Sequence, residues 1–168
     1  PADAGRRGVR AVVATRPGGL DALQMVERPD PVPGPGEVLL RVRATAVNRA
    51  DLLQRLGQYP PPPGASDVLG LEAAGDVVAL GPGVEGWAVG DRAMALLAGG
   101  GYAELVAVPL GQLMRVPDAM DWIVAAAVPE AYLTAWQALH QDPVPGDGSW
   151  VLVHAAASGV GLAALDIA

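Results

Sequence analysis

Between Glu37 and Ala46 apolar and polar residues alternate: Val38, Leu40, Val42, Ala44 and Ala46 point one way, Arg41, Arg43 and Thr45 the other. A period of two with one polar face predicts a half-buried strand. Gly8 to Ala14 and Leu20 to Glu27 predict extended segments around the turn Pro17-Gly18-Gly19. Leu71 to Leu80 (punctuated by Gly75), Asp91 to Leu97, and Tyr102 to Pro109 read the same way. Short strands at roughly ten-residue spacing predict a barrel or sandwich over about the first 120 residues. The proline run from Pro29 to Pro35 forbids any regular element. Asn48 to Leu56 predicts a short helix with Leu52, Leu53 and Leu56 inward, stopped by Gly57. The prolines of Gln58 to Asp67 hold that loop stiffly extended.

The pattern changes at Asp121. Alanine becomes frequent, and Tyr132, Leu133, Trp136 and Leu139 recur at three- and four-residue spacing, which predicts an amphipathic helix with these side chains as core. Pro129 restarts or kinks it, with Glu130 in the first turn of the second piece. A turn over Asp142 to Gly148 leads to Trp150–His154, an almost wholly apolar run that predicts a strand covered on both faces. The segment AAASGVG follows, then another Ala/Leu-rich helix. A β-rich part therefore runs into the opening strand and helix of an α/β unit.

Composition narrows the chemistry. With 51% hydrophobic and 17% charged residues the chain is globular material, and 22 glycines with 16 prolines favour turns over a helical bundle. A formal net charge of −7, with no basic stripe beyond Arg6-Arg7, argues against a nucleic-acid partner. No apolar run approaches the ~20 residues of a membrane span. The start PADAGRRGVR reads as neither a signal nor a transit peptide, so a soluble, cytoplasmic protein is expected. The absence of cysteine removes thiolate metal sites, and His140 and His154 alone offer imidazole, so no metal is expected.

GEVLLRVRATAVNRADLLQRLGQY, LGLEAAGDVVALGPGV, GDRAMALLAGGGYAELVAVP, AAAVPEAYLTAWQAL and GSWVLVHAAASGVGLAAL follow one another in an order that resembles the medium-chain dehydrogenase/reductase superfamily. Within it the chain is similar to the zinc-free quinone oxidoreductases, most of all the p53-inducible branch. The resemblance implies a mostly β GroES-like barrel domain (1–121), then a linking helix and the opening strand–helix of a Rossmann domain (122–168). It also implies hydride transfer from NADPH to a quinone or other activated enone, usually by a homodimer. An enone or enoyl-thioester reductase on the same scaffold, or a non-catalytic GroES-like interaction module, is the alternative.

The zinc enzymes of the superfamily carry cysteine where Asn48 stands and histidine where Leu71 stands, so the resemblance implies a site without a Lewis acid. A quinone or enone suits such a site, because one hydrogen bond to the developing oxyanion can suffice. The resemblance places Asn48 at the nicotinamide ribose and Tyr59 at the quinone slot, with Thr134 near the nicotinamide. The residues themselves also read as a helix cap, a rim residue and a helical threonine bonded to its own backbone. Ala156, Ser158 and Gly161 form a degenerate dinucleotide fingerprint, so Ser158, Gly159, Val160 and Gly161 are the expected cofactor contacts. Glu72 and Glu130 are candidate general acids, dispensable if solvent protonates the hydroquinone, and Glu72 reads as fixing local structure. His154 reads as a buried histidine bonded to a carbonyl, and His140 as a helix-end residue on the negative end of the dipole. Gly99-Gly100-Gly101 reads as a turn beside the cleft. The residue that reads the cofactor ribose is expected about 20 residues past the fingerprint. The chain therefore reads as ending early in the dinucleotide domain, with NADPH against NADH undecided.

Overall fold

The computed structural model describes residues 8–141, 146 and 148–168; Arg6-Arg7 and most of the predicted turn at 142–148 lie outside them. β1 (Val9–Ala14) and β2 (Leu23–Arg28) pair antiparallel as a ribbon, joined through a short 3₁₀ turn at Leu20–Ala22. β3 (Glu37–Ala44), β4 (Glu72–Leu80), β5 (Arg92–Leu96), β6 (Leu105–Pro109) and β7 (Leu113–Arg115) form an antiparallel sheet in the order β6-β3-β4-β5-β7. Bridges Ala11↔Ala103 and Val13↔Val68 fasten the ribbon to the loops flanking this sheet. β7 spans three residues, too few for an alternating pattern to register.

The alternation in β3 has the expected cause. Val38 and Leu40 are fully buried and join Ala73, Val77, Ala93, Ala95, Val106 and Val108 in the main core. Leu39 is buried as well, because a register shift between Leu39 and Leu40 turns the strand there. Arg41 stays exposed, as the period requires. Together these elements make a mostly β half-barrel.

Two helical predictions need correction. α1 (Arg49–Arg55) forms, and Gly57 follows it with a left-handed φ of 74°. Its leucines do not turn inward: Leu52 and Leu56 are exposed and Leu53 is half-buried, while Asp51 is buried. The inward face is polar because Asp51 has strong hydrogen-bond donors beneath it. The second helical region divides before Pro129 into α2 (Trp122–Ala126), capped by the Asp121 side chain, and α3 (Pro129–Leu139). Tyr132, Leu133 and Trp136 are exposed rather than core. The buried stripe of α3 is its small residues, Pro129 and Ala135, supported by Ala131 and Leu139.

α4 (Gly159–Ile167) packs on that stripe through Ala163 and Ala164. Alanine against alanine lets the helix axes approach closely, which explains why the bulky residues of both helices point away. Trp150–His154 joins no sheet among the described residues, and Trp150 is fully exposed. An apolar run becomes a strand only when a neighbouring strand takes its backbone hydrogen bonds. The opening unit of an α/β fold is thus present, its strand segment unpaired and its helix formed.

Arg92 anchors the segment between sheet and helices. Its guanidinium donates to the carbonyls of Pro117, Asp118 and Met120 at 2.9, 2.8 and 2.6 Å and stacks over Trp122 at 4.2 Å. Such a planar fork of donors suits three converging carbonyls better than a lysine would.

Candidate active site

The site is built where β3 hands the chain to α1. The Thr45 hydroxyl donates to the Glu72 carbonyl at 2.7 Å, pinning the crossing to the first residue of β4. Asn48 caps α1 with extended backbone, and its N–H donates to Asp51 Oδ2 at 2.8 Å. The Asn48 side chain faces the Asp51 N–H in return, so the pair makes a capping box.

Around that box lies a buried polar network. Asn48 Nδ2 donates to Glu72 Oε1 at 2.7 Å, and the Glu130 backbone N–H donates to Glu72 Oε2 at 2.9 Å. The Tyr102 hydroxyl donates to Asp51 Oδ2 at 2.9 Å and lies 3.2 Å from the Ala46 carbonyl. Asp51 and Glu72 are only 3% and 2% exposed, and Asp51 Oδ1 has no hydrogen-bond partner. A carboxylate accepts and does not donate, so the Asn48 amide must turn its NH₂ end toward Glu72. The bland expectation for Glu72, a residue fixing local structure, holds.

Burial sets the electrostatics. It pushes the Glu72 carboxyl above the ordinary glutamate range; hydrogen bonds from Glu130 and Asn48 oppose the rise and the Asp51 charge adds to it. Glu130 is raised by burial first, then by the charges of Glu72 and Asp51. The Tyr102 hydroxyl is pushed up by burial and by its bond to Asp51. Acids raised on folding stabilise the fold while protonated. For Glu72 and Glu130 the contribution is complete below about pH 4.3 and is lost as pH rises through the raised folded values. Asp91 runs the other way, held down first by the Ala88 backbone N–H, so its contribution falls away only at more acidic pH. The expected result is a fall in Tm on leaving the ordinary glutamate range upward, made shallower by Glu72→Gln. Thermal melts at stepped pH test this, and equal slopes in both proteins would contradict it.

The second group of expected contacts lies at the start of α4. Ala155 adopts a left-handed φ of 52°, and the Ser158 N–H donates to the Ala155 carbonyl at 2.8 Å, closing the turn. Ser158 is the N-cap, its Oγ accepting from Gly161 N–H at 3.1 Å. A Cβ on Gly161 would lie 2.5 Å from the Ala155 carbonyl oxygen and 2.7 Å from Ala156 Cα, so that glycine is a packing requirement. A Cβ on Gly159 would meet open space, and Val160 is exposed. First-turn amides of a helix lack intrahelical partners and point at an anion. Ser158, Gly159 and Val160 thus present a hydroxyl and free amides to solvent over an unobstructed surface, which fits a dinucleotide pyrophosphate.

The remaining expected residues stand apart. Tyr59 is 46% exposed on its loop, and no hydrogen bond joins it to Asn48. Thr134 is exposed on α3 and makes no bond back to its own helix among the described residues. His154 is exposed, not buried, because the segment carrying it is unpaired. His140 follows the helix-end expectation: it caps α3, its ring stacks on Trp136 at 3.7 Å, and its Nδ1 lies 2.9 Å from the Trp136 carbonyl. Gly99 and Gly100 line a cavity of about 510 Å³ between the ribbon and β6, walled also by Arg28, Val68 and Val106. A shallower groove of about 550 Å³ is lined by Thr45, Val47 and Tyr102, beside the network. None of Asn48, Tyr59, Thr134 or Ser158 lines either one. Asp51 and Tyr102 are site members that sequence reading missed. The spacing Asn-x-x-Asp at a helix start was the available signal for Asp51.

A mostly β half-barrel running into the first unit of an α/β fold, with a polar joint between them, defines a GroES-like domain followed by a strand–helix unit that resembles the start of a Rossmann fold. The sequence profile of the alcohol dehydrogenase GroES-like domain matches residues 34–118, and the chain belongs to that family. The synaptic vesicle membrane protein VAT-1 homolog of Rattus norvegicus is 44% identical over 161 residues, covering 95% of this chain and 40% of that protein. A quinone oxidoreductase from Coxiella burnetii superposes with a TM-score of 0.86 at 29% identity, over 95% of this chain and 53% of its own. JamJ enoyl reductase gives a TM-score of 0.86 at 29% identity, over 96% and 51%. A mycobacterial protein solved in complex with NADPH gives a TM-score of 0.81 at 39% identity, over 92% and 48%. The chain is thus a homologue of the quinone and enoyl oxidoreductases of the medium-chain superfamily. It spans between two fifths and about half of the length of these relatives. Among the described residues no group of three His, Cys, Asp or Glu side chains is arranged to hold a metal, and no helix is long and apolar enough to cross a membrane.

Proposed function

We propose that the protein is an NADPH-dependent quinone oxidoreductase whose substrate side is organised around Asn48. The observation that carries this reading is the hydrogen bond from Asn48 Nδ2 to Glu72 Oε1, at the position where the zinc enzymes of the superfamily hold metal with cysteine. An amide fixed by a buried carboxylate replaces a metal-binding thiolate, which favours acceptors that need no Lewis acid. The similarity to a protein solved with NADPH supports the cofactor, and the similarity to a quinone oxidoreductase supports the acceptor class.

On this reading Ser158, Gly159 and Val160 hold the pyrophosphate through hydroxyl and amide donors, and Gly161 keeps α4 close to the turn. Asn48 binds on the nicotinamide side, Thr134 lies near the nicotinamide, and Tyr59 lines the quinone slot or donates to its oxygen. When bound, NADPH supplies a hydride; with one proton from solvent, a quinone becomes its hydroquinone. The barrel at 1–121 and the helices and dinucleotide turn at 122–168 act as two functional parts, in a cytoplasmic homodimer.

The similarity to JamJ enoyl reductase favours a second reading, in which the acceptor is an enoyl thioester. Parallel assays with a benzoquinone and an enoyl thioester decide between them. Turnover of the quinone is expected, with kcat/KM lowered by about tenfold or more in Asn48→Ala and less in Tyr59→Phe. Turnover of the thioester alone would select the second reading, and unchanged kinetics in both variants would displace these residues from the site.

A further inference from the structure

Resting on the reading of Asn48 as a nicotinamide-side contact, we propose that Glu72 is a positioning residue coupling Asn48 to the helix pair that carries the dinucleotide turn. Glu72 spends its two oxygens on two different elements. Oε1 accepts from Asn48 at the head of α1, and Oε2 accepts from the Glu130 N–H in the first turn of α3. From there direct contacts continue the connection. α3 packs against α4 through Ala135, Ala163 and Ala164, and the Tyr132 hydroxyl donates to Asp166 at 3.0 Å as a second tie. α4 begins at Ser158, whose side chain holds the first turn. A displacement of the turn that moves α3 therefore pulls on one oxygen of Glu72, and the other oxygen carries it to the Asn48 amide.

The chemistry of the position demands glutamate. Both partners donate, so the residue must accept at both ends of one planar group, which only a carboxylate does. Glutamine would set its NH₂ against one of the two donors, and aspartate is a methylene short. The groups that face Glu72 are Asp51 from α1, Glu130 from α3 and the Tyr102 hydroxyl from the segment before β6. A residue that only filled space here would be indifferent to which atom donates.

The test is ¹H–¹⁵N spectroscopy of the whole chain across pH, following the Asn48 side-chain amide and the Glu130 backbone N–H. Both resonances are expected to move with one common midpoint above the ordinary glutamate range. In Glu72→Gln that shared titration disappears, and the NADPH dissociation constant rises about tenfold with the far-ultraviolet circular dichroism unchanged. Glu130→Pro deletes the donor on Oε2 together with the Glu130 carboxyl, Glu130→Gln (which keeps the N–H) controls for the lost acid, and proline is tolerated in a helix's first turn. Glu130→Pro is expected to shift the Asn48 amide without touching the site, and it keeps the test decisive if Glu72→Gln does not fold. Combining Glu72→Gln with Asn48→Asp gives the new amide an acceptor and should restore the Glu130 resonance. Separate midpoints in the unaltered chain, or an unmoved Asn48 amide in Glu130→Pro, would overturn the coupling. A common midpoint in a chain that does not bind NADPH would keep the coupling and remove the nicotinamide reading of Asn48.

Discussion

Replacing Gly161 with alanine is expected to weaken NADPH binding at least about tenfold while leaving the β core folded. The added Cβ would sit 2.5 Å from the Ala155 carbonyl oxygen and 2.8 Å from the Ala156 carbonyl carbon, both backbone atoms with little freedom to yield. Either α4 lifts from the turn, or Ala155 leaves its left-handed conformation and the Ser158 N–H loses the carbonyl it bonds. Both outcomes scatter the Ser158, Gly159 and Val160 donors that, on the proposed reading, hold the pyrophosphate. Overpacking of this kind costs about 1–3 kcal/mol. The loss should fall on the α3–α4 pair, because the main core contains neither helix. Nicotinamide fluorescence titration with the variant measures the effect; an unchanged dissociation constant would remove the turn from the binding site.

Gly75→Ala acts on the other half of the molecule. A Cβ there would lie 2.1 Å from the Arg41 carbonyl oxygen, between the central strands β3 and β4. The register between these strands is already irregular between Val42 and Ala44. The methyl group has no free volume to enter without breaking the ladder beside the main core. A loss of about 3 kcal/mol is expected, a Tm decrease of roughly 6–12 °C for a chain of this size. Urea unfolding checks it, and a change within about 0.5 kcal/mol, typical of an exposed position, would contradict the packing described.

Much of the fold was legible because its signals are local. The alternation from Val38 to Val42 depends on backbone period alone, and the turns fell where proline and glycine leave no alternative. The misreadings share a cause: the deciding partner is distant in sequence. Leu52 and Leu56 look inward until Tyr102, far along the chain, is seen donating to Asp51 on the same helix. Tyr132, Leu133 and Trp136 form the obvious helical stripe, yet α4 chose the alanines because small faces pack more closely. Trp150–His154 has strand composition, but composition cannot supply a neighbouring strand. In the site, Asn48 was readable as a helix cap and Glu72 as a residue fixing local structure. The bond joining them spans 24 residues, and its second half reaches Glu130, 58 residues from Glu72, so the network itself was not. The roles of Tyr59 and Thr134 are proposals that rest on family resemblance alone: among the described residues their exposed side chains make no hydrogen bond that assigns one.

The central claim is that this chain holds a nicotinamide dinucleotide between the α4 turn and Asn48. Titrating NADPH into the chain and following nicotinamide fluorescence tests it most directly. Saturable binding that weakens in Gly161→Ala and Asn48→Ala, followed by oxidation of the bound NADPH on adding a quinone, is the result predicted here. Absence of saturation at millimolar NADPH, or saturation untouched by both substitutions, would contradict it.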